Sequence, residues 1–444
     1  MRGIEAALKV LTSEAPGKFS SEALRILADR EKMKSPDITL ASSLIYIVMR
    51  RKELWEKISS DYIRAKEKLP PSVNMAVLMG TGGLLELRRF SGGVLVNGII
   101  EYLRRNKSTA KYAGLVNAVL HKVIENGEGL LEKFRRSPSI EGRAMFAGIP
   151  VWTLPAWSKT WTRSELNAIF DMAEIPSYSA LRVSPGKTDE LLRILDENGI
   201  HYAKSDISPA IHLSESAMPA KIPGFNEGLF TVQAEGSILT ASIAGRFYKS
   251  GLILDMCSGR GVKSAQILQE CPSAKIECWE ISEARSNSAR HELERLGVIS
   301  RANLRAGNAL ILEPEISPSF VVLDAPCSGS GTWNRKPESK WRLDWKKFDA
   351  TVSTQKRLLH RAVSLCESGG YILYITCSLL KQENENVVAE ILSSNPECAE
   401  VSSLLDWPNK NGECFKRGKP YGIYILPANS WLDGFYCSLI LKRG

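Results

Sequence analysis

The first 256 residues contain no cysteine, although the chain of 444 residues has nine. All nine (Cys257, Cys271, Cys278, Cys327, Cys366, Cys377, Cys398, Cys414 and Cys437) lie beyond that point, and none forms a Cys-x-x-Cys pair. An odd number of thiols in a long chain argues against a disulfide framework. Unpaired cysteines and five scattered histidines argue against a zinc site, so no metal is expected. No apolar run reaches the ~18 residues that a membrane span requires. The opening MRGIEAALKVLTSEAPGKF has neither the apolar core nor the cleavage site of a secretory signal. It reads as an amphipathic helix, and a cytoplasmic protein with no membrane partner is expected. Surplus charge is also missing from most of the chain. Of 58 Lys+Arg and 49 Asp+Glu, residues 1–140 hold 24 and 15, which leaves 34 of each for the remainder. The whole net charge of +9 therefore sits in the first third. A basic module joined to a neutral one suits an electrostatic grip on a polyanion, with chemistry elsewhere. A solvated basic surface is the alternative.

The length favours two or three domains. The first third has helical texture. In SPDITLASSLIYIVMRRKELWEKI, Ser35 is placed to cap a helix with Pro36 in its first turn, and Leu40, Leu44, Ile47 and Val48 share a face. GLVNAVLHKVIENG repeats the pattern with Leu115, Val119 and Val123 and is expected to stop at Gly127, while the paired glycines of TGGLLELRRFSGG are expected to break the helices. Residues 1–140 thus read as a helical bundle. Residues 141–229, with YSALRVS, TDELLRILDENGI and AIHLSES, read as a small α/β unit. From 230 to 444 the apolar segments GLILDMC, AKIECWEI, SFVVLDAPC and GGYILYITCS alternate with helical ones, which implies a parallel sheet covered on both faces. The fold class is α/β.

Ligands of such sheets bind beyond the carboxyl ends of the strands. There LILDMCSGRGVKSAQIL gives strand, glycine turn and helix, with Gly259 and Gly261 able to admit a ligand at a helix N-terminus. Val262 stands where a Walker A loop needs glycine before Lys263-Ser264, and a dinucleotide fingerprint lacks its third glycine. The next strand ends on Glu280, a carboxylate suited to ribose hydroxyls, so a nucleoside-containing cofactor is expected. At the same edge DAPCSGSGTW ends one apolar run and offers Cys327, and YILYITCSLL ends another at Cys377. A lone cysteine at a strand end is usually packing, the role expected of Cys366 and Cys437.

DAPCSGSGTWNRKPESKW together with ITCS resembles the RNA cytosine-5 methyltransferases that use S-adenosylmethionine. The resemblance extends over residues 230–444 through GLFTVQAEGS, DMCSGRGVKS, ISEARSNSAR, STQKRLLHRAVSL and DGFYCSLILK. GLVNAVLHKV resembles the NusB-like helical RNA-binding domain that precedes the catalytic domain in the bacterial small-subunit rRNA enzymes of the Sun/RsmB type. The implied fold is a NusB-like bundle (1–140), a small α/β linker subdomain (141–229) and a Rossmann-like methyltransferase domain (230–444). The implied reaction explains two thiols. Carbon 5 of cytosine is a poor nucleophile, and a thiolate adding to carbon 6 makes an enamine that can take a methyl group. By the resemblance Cys377 attacks, Cys327 assists release of the product, Asp324 holds the cytosine edge, and Lys263 faces the same site. Cys257, Ser258, Gly259, Arg260, Gly261, Val262, Lys263, Glu280, Asn308 and Asp324 would hold S-adenosylmethionine.

Three positions depart from the family pattern. The usual Ala-Ala-Pro-Gly-Gly-Lys-Thr appears as SGRGVKS, with Arg260 for proline and Val262 for glycine. Asn308 replaces the acid that meets the adenine amino group, where an amide oxygen can still accept. Ser184 replaces an asparagine tied to RNA contact. On the substrate side, TWNRKPESKWRLDWKK interleaves Trp333, Trp341 and Trp345 with basic residues. It can stack bases and bind phosphates, or turn its tryptophans into a core. The expected partner is RNA, by the resemblance small-subunit rRNA, whose target base must be unstacked to reach Cys377. A tRNA substrate, a non-catalytic RNA-binding factor and a nicotinamide-dependent oxidoreductase are the alternatives.

Overall fold

A computed structural model describes the chain except residues 1, 13–19, 64–68, 88–89, 176–178, 215–217, 403–413 and 428–431. It divides into two compact units. The first comprises Met1–Lys159, Arg163–Glu174 and Trp333–Arg342, and the second Thr160–Thr162, Ile175–Thr332 and Leu343–Gly444.

The first unit is helical. Its central helix, Pro71–Glu86, is apolar on all sides and is therefore buried. The glycine pair expected to break it lies inside it. A Cβ at Gly80 would stand 2.5 Å from Leu120, and one at Gly83 would stand 2.6 Å from Leu95. The missing side chains let the neighbouring helices Ala113–Arg135 and Gly92–Arg105 approach, a packing gain that outweighs the helical cost of glycine. The second pair, Gly92-Gly93, does mark a helix start. Gly127 likewise fails to end its helix, which runs on to Arg135, because its bare face receives Leu85. The helix that carries Pro36 spans Ser35–Arg50, with Lys34 rather than Ser35 at its cap.

The segment Trp333–Arg342 belongs to this unit's core. Trp333 is buried and stacks on Trp157 with ring centroids 6.2 Å apart. The buried Lys340 donates to the carbonyls of Arg50 (2.7 Å) and Gly148, and the Trp341 indole donates to Met49. Trp333 therefore takes the core alternative, and Trp341 is half-buried with its indole tied to the backbone. Trp345 is 42% exposed and does not take it.

The second unit contains two sheets. The small one is antiparallel, in the order β2-β3-β1-β4, from β1 (Ala180–Val183), β2 (Tyr202–Lys204), β3 (Ala210–Leu213) and β4 (Phe230–Val232). Helix Thr188–Glu197 covers it through Leu191, Leu192 and Leu195. Beneath it His212 meets the buried Glu235 at 3.1 Å. Ser184 is buried, donating to the Gly228 carbonyl and accepting from Gln269, so its hydroxyl serves the fold.

The large sheet has nine strands among the described residues. They are β5 (Leu252–Asp255), β6 (Lys275–Glu280), β7 (Ala302–Ala306), β8 (Phe320–Asp324), β9 (Tyr371–Thr376), β10 (Cys398–Glu400), β11 (Phe415–Arg417), β12 (Ile423–Ile425) and β13 (Phe435–Lys442). The order is β11-β12-β13-β9-β8-β5-β6-β7, and β10 pairs with β13. Strands β5 to β9 are parallel; β5, β8 and β9 are buried apolar runs, as strands covered on both faces are, whereas the edge strand β7 is partly exposed. The C-terminal strands differ from the all-parallel expectation, since β13 runs antiparallel to β9 and β12 antiparallel to β13. The chain order reverses at β5, whose neighbours are β6 and β8, and this switch point opens a crevice at the strand ends. No helix among the described residues is long and apolar enough to cross a membrane.

Candidate active site

Five strand ends supply the crevice. After β5 the chain turns through Cys257–Gly261 into helix Val262–Glu270. Gly259 (φ +58°) and Gly261 (φ +74°) occupy the left-handed region that favours glycine. Gly261 packs on helix Glu283–Arg295, where an added Cβ would lie 3.0 Å from Ala289, whereas one at Gly259 would meet open space. The Ser258 N–H donates to the Trp279 carbonyl and the Gly261 N–H to that of Ser258, which fixes the turn. Arg260 is exposed and Val262 opens the helix, so both substitutions are accommodated without altering the turn.

Glu280, at the end of β6, is 4% exposed. Its carboxylate accepts from the N–H groups of Gly259 (3.0 Å) and Ser282 (2.8 Å) and pairs with Arg285 at 2.7 Å. A carboxylate offers about four acceptor positions, so capacity remains for a hydroxyl. Asn308 follows β7 and is exposed, its amide oxygen accepting from the Leu310 N–H at 3.0 Å. Beneath the loop Asp255 is buried and accepts from the Ser264 hydroxyl at 2.6 Å. Burial, against that bond, lifts its carboxyl to about 6. Burial beside Asp255, Asp324 and Glu280 holds the Cys257 thiol far above its ordinary range, so Cys257 is a neutral part of the wall.

At the ends of β8 and β9 the sequence-expected groups come together. Lys263 Nζ lies 2.6 Å from Asp324 Oδ2, with side-chain exposures of 12% and 33%. Burial lowers the affinity of Lys263 for its proton, but Asp324 and then Cys377 outweigh this and the amine is held charged. Cys327 Sγ and Cys377 Sγ are 3.4 Å apart. Cys327 keeps its proton well above the usual thiol range, first because it is hydrogen-bonded to Cys377, then because it is buried. Cys366 and Cys437 are buried in the core, as expected. Among the described residues no cluster of three or more His, Cys, Asp or Glu could hold a metal.

Sequence reasoning did not reach the polar layer beneath the thiols. Glu383, Gln355, Ser328, Ser330 and Ser378 are all buried there. Glu383-Asn384 lies six and seven residues beyond Cys377 in ITCSLLKQENE, and only the excess of polar side chains so soon after a core strand hinted at it.

The residues fit S-adenosylmethionine. A glycine loop with open space over Gly259, a strand-end acid, and the carboxylates of Asp255 and Asp324 suit a nucleoside that carries a sulfonium and an ammonium. Fold and site thus define a Rossmann-like, S-adenosylmethionine-dependent methyltransferase.

Residues 247–441 match the family model of 16S rRNA methyltransferase RsmB/F, and residues 4–125 match the NusB family. The C-terminal part of the chain is thus similar to the RsmB/F methyltransferases, and the part ahead of it to the NusB family. It is 26% identical over 428 residues to the ribosomal RNA small subunit methyltransferase B of Klebsiella pneumoniae, covering 93% of this chain and 92% of that one. The enzyme of the same name from Xanthomonas campestris is 26% identical over 415 residues, 91% and 89% of the two chains. In fold it is similar to the crystal structure of PH0851, with a TM-score of 0.79 over 99% of this chain and 98% of that one, at 22% identity.

Proposed function

We propose that the protein methylates carbon 5 of a cytosine in small-subunit ribosomal RNA, with Cys377 as the nucleophile. The observation that carries this reading is the pair of thiols 3.4 Å apart beside the Lys263–Asp324 ion pair, at the sheet edge that also carries the cofactor loop. Lys263, held charged, favours a thiolate on its neighbour Cys377. Cys327, held protonated, can donate its S–H to that thiolate. The Cys377 sulfur adds to carbon 6 of the ring, and Asp324 accepts from the cytosine edge. S-adenosylmethionine supplies the methyl group that carbon 5 then takes. The carbon 5 proton passes to water, its bonding electrons restore the ring double bond as the carbon 6–sulfur bond breaks, and the departing Cys377 thiolate again accepts the Cys327 S–H. Cys257–Lys263, Glu280, Asn308 and Asp324 hold the methyl donor in this scheme.

Residues 1–140 act as the RNA-binding module, residues 230–444 as the catalytic domain, and residues 141–229 as the subdomain between them. The small-subunit substrate rests on the relatives' names and on the basic first third. An RNA of that kind is met in the cytoplasm.

The test is a pair of variants. Cys377→Ala loses methyl transfer and every covalent RNA complex, whereas Cys327→Ala accumulates a covalent complex with RNA on a denaturing gel. Normal turnover by Cys327→Ala would remove the division of roles. Bisulfite sequencing of RNA from cells lacking the protein identifies the substrate, and an unmodified position in tRNA rather than 16S rRNA would move the assignment.

A further inference from the structure

Glu383 is fully buried, and its surroundings are unusual for a carboxylate. Oε1 accepts from the Ser328 N–H at 2.7 Å and from Gln355 Nε2 at 3.0 Å. Oε2 accepts the Ser328 hydroxyl at 2.5 Å and that of Ser378. Burial raises its pKa against these bonds, and no cation is ion-paired with it among the described residues. Ser328 directly follows Cys327 and Ser378 directly follows Cys377. One carboxylate thus ties together the loops that carry the two reactive thiols.

The neighbouring residues complete the frame. Gln355 also donates to the carbonyl of Pro326 at 2.8 Å, on the other side of Cys327. Asn384 accepts from the Thr376 hydroxyl at 2.6 Å and donates to the Ser378 carbonyl at 2.9 Å, so it spans Cys377. The loops meet directly as well, the Gly331 N–H donating to the Cys377 carbonyl at 3.0 Å. A buried carboxylate with no cationic partner is costly. Three donors from two loops and a fourth from helix Trp345–Leu365 need one group that only accepts, and an ionised carboxylate is that group. An apolar filler would give the same packing without fixing either loop's direction.

We propose that Glu383 is a positioning residue that sets the separation of Cys327 and Cys377, and thereby the S–H···S contact between them; its catalytic consequence rests on the function proposed above. An ångström of misplacement at a reacting centre can cost about a hundredfold in rate. Glu383→Ala is therefore expected to lower kcat about a hundredfold with KM unchanged. Glu383→Gln keeps one acceptor, and both serine hydroxyls can rotate to meet its amide. It is expected to recover to within about tenfold of the wild type.

Thiol spacing can be read without RNA or methyl donor. Phenylarsine oxide bridges two thiols only when both are within reach, forming two arsenic–sulfur bonds and releasing water. In the full-length protein, mass spectrometry of protease digests should find the Cys327–Cys377 bridge. Glu383→Ala should form it at least about tenfold more slowly at an unchanged melting temperature, and Glu383→Gln near the wild-type rate. Should Glu383→Ala fail to fold, Gln355→Ala removes the bond to Pro326 and one of the four to Glu383 and should slow bridging severalfold. Folded Glu383→Ala (or, in its place, Gln355→Ala) that bridges and turns over at wild-type rates would overturn the proposal. Slow bridging in the variant, with a wild type that never methylates cytosine, would uphold the spacing role and remove the reaction assigned above.

Discussion

Substituting Asp255 by asparagine should make the protein more stable at neutral pH and less stable in acid. The buried carboxyl titrates at about 6 in the folded protein, against an ordinary value of 3.8, chiefly because burial disfavours its charge. Between those two values the folded chain keeps a proton that the unfolded chain has shed, so stability falls as pH rises through that window. Above it the full penalty applies, about 3 kcal/mol at roughly 1.4 kcal/mol for each tenfold change in proton affinity. Asparagine carries no charge to desolvate. It can accept from the Ser264 hydroxyl but then turns an N–H toward the Cys257 N–H, where the carboxylate now accepts at 3.4 Å, a loss of about 1 kcal/mol. The variant should be about 2 kcal/mol more stable at pH 7 and about 1 kcal/mol less stable below pH 4. Melting temperatures of both proteins across this range give a difference curve in which other carboxylates cancel. A difference of constant sign and size would refute the account of Asp255. Cofactor affinity, measured by calorimetry, should weaken in the variant, because a negative charge is lost beneath the loop that meets a cationic ligand.

Other consequences follow from the charges. Lys263→Met breaks the 2.6 Å pair with Asp324, whose third of exposed surface limits the stability cost. Single-turnover methyl transfer should fall about a hundredfold, with the acidic limb of the rate–pH profile displaced upward because the thiolate has lost its cation. An undisplaced limb would separate Lys263 from thiol activation. In the helical unit Lys107 and Lys111 are exposed. Reversing both to glutamate should weaken RNA binding and reduce the slope of log affinity against log salt by about two. An unchanged slope would take the phosphate contacts away from that face.

Much of the site was legible because its chemistry is tied to strand ends. Apolar runs that stop on Asp324, Cys377 and Glu280 announce parallel strands and the edge at which ligands bind, and the structure brings these residues to one crevice. The glycines of the first unit were misread for a physical reason. Gly83 and Gly127 act through the side chains of other helices that enter the space they leave, and a local pattern contains no record of those neighbours. The tryptophan-rich segment had the same ambiguity, since an aromatic residue between cations suits both a base and a core. Trp157 and the carbonyls at Arg50 and Gly148, distant in sequence, decide it. Glu383 was legible only as one of several polar residues after a core strand, because a buried acid differs from a solvated one only in its surroundings.

RNA carrying 5-azacytidine offers the most direct test of a sulfur–carbon bond at residue 377, because a ring nitrogen in place of carbon 5 stalls release of the enzyme. Digestion of the trapped complex and sequencing of the nucleotide-bearing peptide by mass spectrometry should place the modification on Cys377, in the peptide that contains ITCSLL. A modified Cys327, or methyl transfer with no trapped species, would contradict the account.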